Sequence, residues 1–377
     1  MVALEILFWA ALAALLWTHV GYPLVIAFLS SVHARRADKA DIFPTVAVIV
    51  AAHDEEAVIE RRVQNLLALE YPPERVEVVV ASDASTDRTD EIVAGLAQRE
   101  PRVRLLRCER RGKVLAQDAA AAAASAEVLA FSDANSLWAP DALARLVRSF
   151  ADAGVAYVCG RLDLTRPDGT SREGLYWRYE LWIRERESRL AGVTGGNGAI
   201  YAVRRQDYAP ASHPGLGHDL GFPYLLAQRG RRSVYEPTAV AVEKAAAASE
   251  DEYGRRVRMH AQGWLHLLSG RMLRGGGPLY LFQMISHRAL RYASGLLHLV
   301  LLATSIALVG RGAVYAAVLA VQALWLALAV AGRYRLPIPG AAVSYYYLAV
   351  TSATIAGLVR CVRSGAPAIW AKAPGTR

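Results

Sequence analysis

No glycine-rich loop of the kind that cradles phosphate occurs where an α/β chain would carry one. The dinucleotide fingerprint sets three glycines after the first strand, so that backbone amides meet a pyrophosphate. The corresponding turn here reads Ala52-His53-Asp54-Glu55-Glu56, with acids in place of glycines. No Gly-x4-Gly-Lys-Ser/Thr stretch exists either. A phosphate bound by this chain must therefore be met by cations. Cysteine is sparse: Cys108, Cys159 and Cys361 are scattered and lack disulfide or metal-ligand spacing, as suits reduced thiols in a cytoplasmic domain. No aromatic-basic RNA motif or DNA-reading helix stands out. The net charge of +9 fits a membrane protein with cationic flanks handling an anionic substrate, and no nucleic-acid partner is expected.

Charge is missing from the two ends. The chain is 54% hydrophobic and 20% charged, and the two kinds of residue are segregated. Between Glu5 and Arg35 there is no Asp, Glu, Lys or Arg, and a bilayer core takes about 20 helical residues. Without a small-residue cleavage site, this run reads as a retained transmembrane helix. Near the C-terminus Tyr292–Gly310, Gly312–Gly332 and Leu336–Val359 are also uncharged. The last contains Pro337, Pro339 and Tyr345-Tyr346-Tyr347, leaving a span, a re-entrant segment and an interfacial helix open. Arg35, Arg36 and Lys39 after the first run, with His287, Arg288 and Arg291 before the second, place the middle of the chain in the cytoplasm by the positive-inside tendency. Three C-terminal crossings would then put Arg360, Arg363, Lys372 and Arg377 on the far side. Either the third segment does not cross or the tendency fails.

The middle alternates. Val46–Ala51, Val76–Ala81, Val103–Leu106 and Val128–Phe131 are strand-like apolar runs. Helical stretches follow them at Glu55–Leu69, Asp87–Arg99 (capped by Ser85 or Thr86), Val114–Ala126 and from Pro140 onward. Strands apolar on both faces, alternating with helices, predict a parallel sheet covered by helices. Ligands of such sheets sit beyond the carboxyl ends of the strands, where His53, Asp54, Asp83 and Asp133 fall. A divalent ion held by strand-end oxygens is the economical replacement for the missing glycine loop. Expected boundaries are residues 1–34 for an N-terminal transmembrane helix, 42–250 for the cytoplasmic domain, 251–284 for amphipathic interface helices, 285–360 for two or three further spans and 361–377 for a tail.

Six stretches occur in one order: Val48-Ile-Val-Ala-Ala-His-Asp-Glu-Glu56, Val79-Val-Ala-Ser-Asp-Ala-Ser-Thr-Asp87, Arg111-Gly-Lys113, Phe131-Ser-Asp-Ala-Asn135, Gly195-Gly-Asn-Gly-Ala-Ile-Tyr201 and His218-Asp219. Together they resemble the membrane-embedded family 2 glycosyltransferases, the group of cellulose, chitin and hyaluronan synthases and smaller relatives. The resemblance covers roughly residues 44–275 and extends to the flanking spans. It implies an α/β, A-type glycosyltransferase fold with transmembrane helices at both ends, binding a nucleoside-diphosphate sugar, with uridine as the expected base. On this reading His53 and Asp83 contact base and ribose, Asp54 shapes that pocket, and Lys113 faces the nucleotide or its phosphates. The plainer role for Asp83 is to stabilise its turn. Asp133 and Asn135 correspond to the two acids of the family's Asp-x-Asp motif and would hold Mg2+ or Mn2+, with Asn135 offering a neutral carbonyl. Asp219 corresponds to the general base, and His218 departs from the acid that precedes it in the family. Gly196, Asn197 and Gly198 resemble the segment lining the acceptor side.

Processive members carry Gln-x-x-Arg-Trp; here the stretch reads Arg255-Arg-Val-Arg-Met259. Arg258 is retained to pair with diphosphate. The tryptophan has become Met259, with Trp264 nearby as a substitute acceptor contact. The resemblance therefore implies an inverting, metal-assisted transfer of one or a few sugars to a lipid-linked or membrane-proximal glycan acceptor, at the inner cell membrane. A processive polysaccharide synthase is the first alternative. A membrane transporter or scaffold with a nucleotide-sensing domain is the second.

Overall fold

The computed structural model describes residues 1–165, 174–211, 213, 215–244 and 249–366. Most of the expected tail, with Lys372 and Arg377, lies outside the described residues. The chain divides into two compact units, the first made of Met1–Val25, Ser249–Ser269 and Met284–Ala366, the second of Ile26–Ala248 and Gly270–Gln283.

The second unit is built on one eight-stranded sheet. Its strands are β1 (Val46–Ala52), β2 (Val76–Asp83), β3 (Val103–Cys108), β4 (Val128–Asp133), β5 (Leu137–Trp138), β6 (Val155–Thr165), β7 (Tyr201–Arg204) and β8 (Arg232–Lys244), in the order β3-β2-β1-β4-β7-β6-β8-β5. The four strands read from sequence are parallel to one another. The expected parallel arrangement holds for these four, and the rest of the sheet is mixed, because β7 runs antiparallel to both β4 and β6. The parallel part is legible because both faces are covered. Val46, Val48 and Val50 enter one buried cluster, while Ala47 and Ile49 enter another on the opposite face, following the two-residue side-chain period of a strand. The chain progresses outward from β1 through β2 to β3, then returns to place β4 on the other side of β1. That reversal opens a crevice at the strands' carboxyl ends.

Helices Ile59–Leu67, Thr89–Arg99, Lys113–Ala123 and Ala142–Val147 occupy the expected intervals with shorter ends. Capping of the second differs from expectation. Neither Ser85 nor Thr86 caps it; the Asp87 carboxylate accepts the Thr89 N–H at 2.9 Å.

The first unit is helical. Among the described residues four helices are long and apolar enough to cross a membrane: Val2–Val32, Gly277–Arg311, Ala313–Arg333 and Ala341–Ser364. The run left open by its prolines is one continuous helix, because Pro337 and Pro339 precede its cap at Gly340. Inside this unit the Tyr347 hydroxyl lies 2.8 Å from both His19 Nε2 and His298 Nε2, tying three helices together by polar contacts that apolar surroundings favour.

Candidate active site

The site grows from the ends of β2 and β4. Asp83 ends β2, is 2% exposed, and accepts the backbone N–H groups of Arg111 at 2.8 Å and Gly112 at 3.0 Å. Its other oxygen pairs with Arg110. Gly112 has φ +97°, a backbone form open to glycine at little cost, and it delivers the chain into the helix that starts at Lys113. The Asp83 carboxylate thus holds the 110–112 turn after β3, a different turn from the one after its own strand. Its backbone carbonyl accepts the His53 Nδ1–H at 2.9 Å, and His53 Nε2 lies 3.2 Å from Asp54. Asp54 itself sits at φ +52° and accepts the Thr86 N–H at 2.6 Å. Desolvation opposes its ionisation, but the bonds from Thr86 and Asp87 and the His53 ring outweigh it and hold the carboxyl below its usual range. His53, Asp54 and Asp83 therefore form one corner.

Asp133 ends β4 and is paired with the Lys113 ammonium. Both are roughly a quarter to a third exposed. Burial opposes the charged ammonium, yet Asp133 above all, then Asp219 and Glu243, push its pKa up. Asn135 follows in the turn after β4, half-buried. Beneath them lies Arg62, fully buried, donating to Ser132 Oγ at 2.8 Å with its guanidinium 5.1 Å from the Trp138 ring centroid. Burial pushes Arg62 down to about 9, against the pull of Asp133 and Glu243. Glu243, buried near the end of β8, accepts a bond from Ser136.

Asp219 is the second residue of the helix His218–Gln228, where a carboxylate meets the positive end of the helix dipole. The 195–198 segment joins it to the Lys113–Asp133 pair. The Gly196 N–H donates to the Asp219 carbonyl at 2.8 Å. A Cβ on Gly198 would stand 3.0 Å from Lys113 Nζ and 3.4 Å from Asp133 Oδ2. Asn197 is turned away from this surface: Oδ1 accepts the Ala199 and Ile200 N–H groups, and Nδ2 donates to Gly160 O. These bonds fix the shape of the 195–200 loop.

A supporting cluster was not read from sequence. His218 Nε2 lies 2.8 Å from Asp118 Oδ1, the Tyr208 hydroxyl donates to the same oxygen at 2.5 Å, and the Ala211 N–H donates to Oδ2 at 3.1 Å. The His218 ring stacks on Phe222 at 4.7 Å. Burial first, then Asp118, drive the Tyr208 phenol far above its usual pKa. His218 is thus fixed by a carboxylate on the helix that also carries Lys113. Asp118 gave no local signal because it lies mid-helix, and Glu243 lies near the end of a strand that was not read from sequence.

Arg258 and Trp264 belong to the helical unit. Burial, then Arg255 and Arg360, lower the Arg258 pKa. The Trp264 indole is 6% exposed and donates to Thr354 O at 2.9 Å, beside the Tyr292 ring. Its ring and N–H are both engaged inside that unit.

Among the described residues no cluster of three or more His, Cys, Asp or Glu side chains forms a closed metal site. The oxygen donors at the end of β4 suit a hard divalent cation that takes one or two protein ligands and completes its shell with phosphate oxygens and water. The donor set fits Mg2+ or Mn2+ on those terms.

The sequence model described as "Glycosyl transferase family 2" matches residues 47–210. The chain is 29% identical over 217 residues to a beta-monoglucosyldiacylglycerol synthase of Nostoc sp., taking in 54% of this chain and 45% of that protein. It is 36% identical over 132 residues to the succinoglycan biosynthesis protein ExoO of Rhizobium meliloti, 35% of this chain and 37% of that one. The matches thus span less than half of these curated relatives. Among solved structures, the mannosyltransferase PcManGT from Pyrobaculum calidifontis, in complex with GDP-Man and Mn2+, superposes with a TM-score of 0.73 at 24% identity, covering 95% of this chain and 99% of that one. The two share a fold.

Proposed function

We propose that the chain, whose residues 47–210 match the family 2 glycosyltransferase model, moves a sugar from a nucleoside-diphosphate sugar, with uridine as the expected base, to a lipid-linked or membrane-proximal glycan acceptor. The observation that carries this reading is the convergence of three contacts: Gly198 faces the Lys113–Asp133 pair, Gly196 binds the Asp219 main-chain carbonyl, and the Asp219 carboxylate helps hold Lys113 charged. One side offers a cation and oxygen ligands for a diphosphate; the other offers a carboxylate for a hydroxyl.

In the proposed reaction the acceptor hydroxyl oxygen bonds to the anomeric carbon while the bond from that carbon to the diphosphate oxygen breaks. Asp219 takes the hydroxyl proton as general base, and the nucleoside diphosphate leaves with the bonding electron pair. One displacement inverts the anomeric centre. Lys113 faces the departing phosphates, and His53, Asp54 and Asp83 border the nucleoside. Asp133 and Asn135 would hold Mg2+ or Mn2+, whose chemistry there is to neutralise charge on the leaving diphosphate.

The lipid acceptor is favoured by the apolar helices and by the diacylglycerol product for which the Nostoc relative is named. Addition of one or a few sugars is favoured by Met259, which offers no flat face for a growing glycan. The protein is then a multi-pass protein of the inner cell membrane with its transferase domain in the cytoplasm. Asp219→Asn tests the reading in detergent-purified protein with radiolabelled nucleotide sugars. Transfer should fall about 10²- to 10⁴-fold, while stabilisation by nucleotide sugar persists. Undiminished transfer would remove Asp219 as base, and a long product ladder would favour the polymerising alternative.

A further inference from the structure

Arg184 lies in the helix Leu175–Ser188 of the second unit, is 7% exposed, and forms no ion pair among the described residues. Its Nε and Nη1 have no hydrogen-bond partner. Its one hydrogen bond is long, from Nη2 to the Gly196 carbonyl at 3.4 Å. The Tyr235 ring lies beneath it at 5.7 Å, which supplies a π-face but no charge. A buried cation without an anion costs far more than a paired one, so native structures rarely keep one.

A second unsatisfied donor lies close by. Tyr157 is fully buried and its hydroxyl has no hydrogen-bond partner among the described residues. That oxygen would stand 1.9 Å from a Cβ on Gly196, which explains the glycine. Burial pushes the Tyr157 phenol up, Asp219 pushes it further, and Arg184 opposes them. Arg184, Tyr157 and Asp219 therefore share one neighbourhood, centred on Gly196, whose own N–H is bound to Asp219.

We propose that Arg184 and the Tyr157 hydroxyl form a subsite for a phosphate ester of the acceptor, beside the general base. Three donors, two on a planar guanidinium and one on a phenol, match the several acceptor oxygens of a phosphate better than the two of a carboxylate. The donor diphosphate is assigned elsewhere: Lys113 and Asp133 border Gly198, whereas Arg184 borders Gly196. The assignment to the acceptor rests on the glycosyl-transfer reading; phosphate recognition by these two groups does not.

The test measures the thermal midpoint of the detergent-purified full chain without nucleotide sugar. Glycerol 1-phosphate and phosphatidic acid are compared with glycerol and diacylglycerol. Wild type should be stabilised by the phosphorylated member of a pair. A charged hydrogen bond lost on the anion should weaken apparent phosphate affinity about tenfold or more in Arg184→Met. Without ligand, that variant should be no less stable than wild type, because an unpaired buried charge has been removed. Tyr157→Phe, which deletes one oxygen and keeps the ring, should weaken the response in the same direction, and Lys113→Met should retain it. A response to both phosphorylated probes supports a site for the phosphate group alone; a response confined to phosphatidic acid supports a lipid headgroup. The proposal is overturned if wild type responds to neither, if Arg184→Met and Tyr157→Phe respond as wild type does, or if Lys113→Met abolishes the effect. Turnover of Asp219→Asn judges the transfer reading separately, so the two can fail independently.

Discussion

Lys113→Met tests the electrostatic balance of the proposed metal site. Around the end of β4 stand three carboxylates, Asp133, Asp219 and Glu243, and two cations, Lys113 and the buried Arg62. Lys113 neutralises Asp133 directly. Two unit charges in contact near a protein surface attract with about 4 kcal/mol, and much of that is offset by desolvating the ammonium. A net worth of about 1.5–3 kcal/mol, typical of a charged hydrogen bond, remains. A divalent ion approaching Asp133 must displace or share with that ammonium. Replacing it by Met removes the competitor and leaves the acidic cluster more negative. Affinity for Mn2+ without nucleotide should therefore rise about ten- to a hundredfold. Affinity for the nucleoside diphosphate without metal should fall by about tenfold or more, since a phosphate contact is lost. Asp133 is about a third exposed, so water rehydrates it and the fold should lose only about 1 kcal/mol.

The assay is the electron paramagnetic signal of free Mn2+ titrated with wild type, Lys113→Met and Asp133→Asn, without nucleotide sugar. Asp133→Asn should bind Mn2+ more weakly than wild type. If Lys113→Met binds Mn2+ no better than wild type, the ammonium is not in competition for that carboxylate. If Asp133→Asn binds as well as wild type, the ion is held elsewhere.

Asp118→Ala strips the shared acceptor from His218, Tyr208 and the Ala211 N–H. It should cost about 3–5 kcal/mol in urea unfolding, with Asp118→Asn costing less and lowering turnover more than donor affinity. Gly196→Ala forces a Cβ to 1.9 Å from the Tyr157 hydroxyl and should destabilise by about 1–3 kcal/mol; Tyr157→Phe should recover part of that in the double variant, read as a coupling energy. Asp54 has a folded pKa below its unfolded value of 3.8. Its contribution is therefore present above pH 4 and lost as pH falls through the lower folded value. Asp54→Asn should flatten the acid limb of a stability–pH profile in that window, and an unchanged limb would show that Asp54 gains nothing from its turn.

The parallel half of the sheet is legible because its signals are local. Apolar runs bury both faces of β1, β2 and β4, and each of β2 and β4 ends on the aspartate that breaks its run, Asp83 and Asp133. The other half is mixed and not legible, since β6 pairs antiparallel with β7 and parallel with β8 across long separations that leave no periodic trace. The same divide runs through the site. His53, Asp83, Lys113, Asp133 and Asp219 stand where strands end or helices begin. Asp118 is mid-helix, and its contact with His218 spans 100 residues. Arg184 lies inside a helix that carries several other charged residues, so its sequence neighbours do not single it out. Even the missing glycine loop has a structural counterpart. Amides at a positive-φ glycine do converge on an anion, but they follow β3 instead of β1, and the anion is the Asp83 carboxylate. By spending those amides on its own side chain, the chain fixes the turn that delivers Lys113. Phosphate recognition is thereby transferred from backbone to side chain, as a turn after β1 occupied by acids requires.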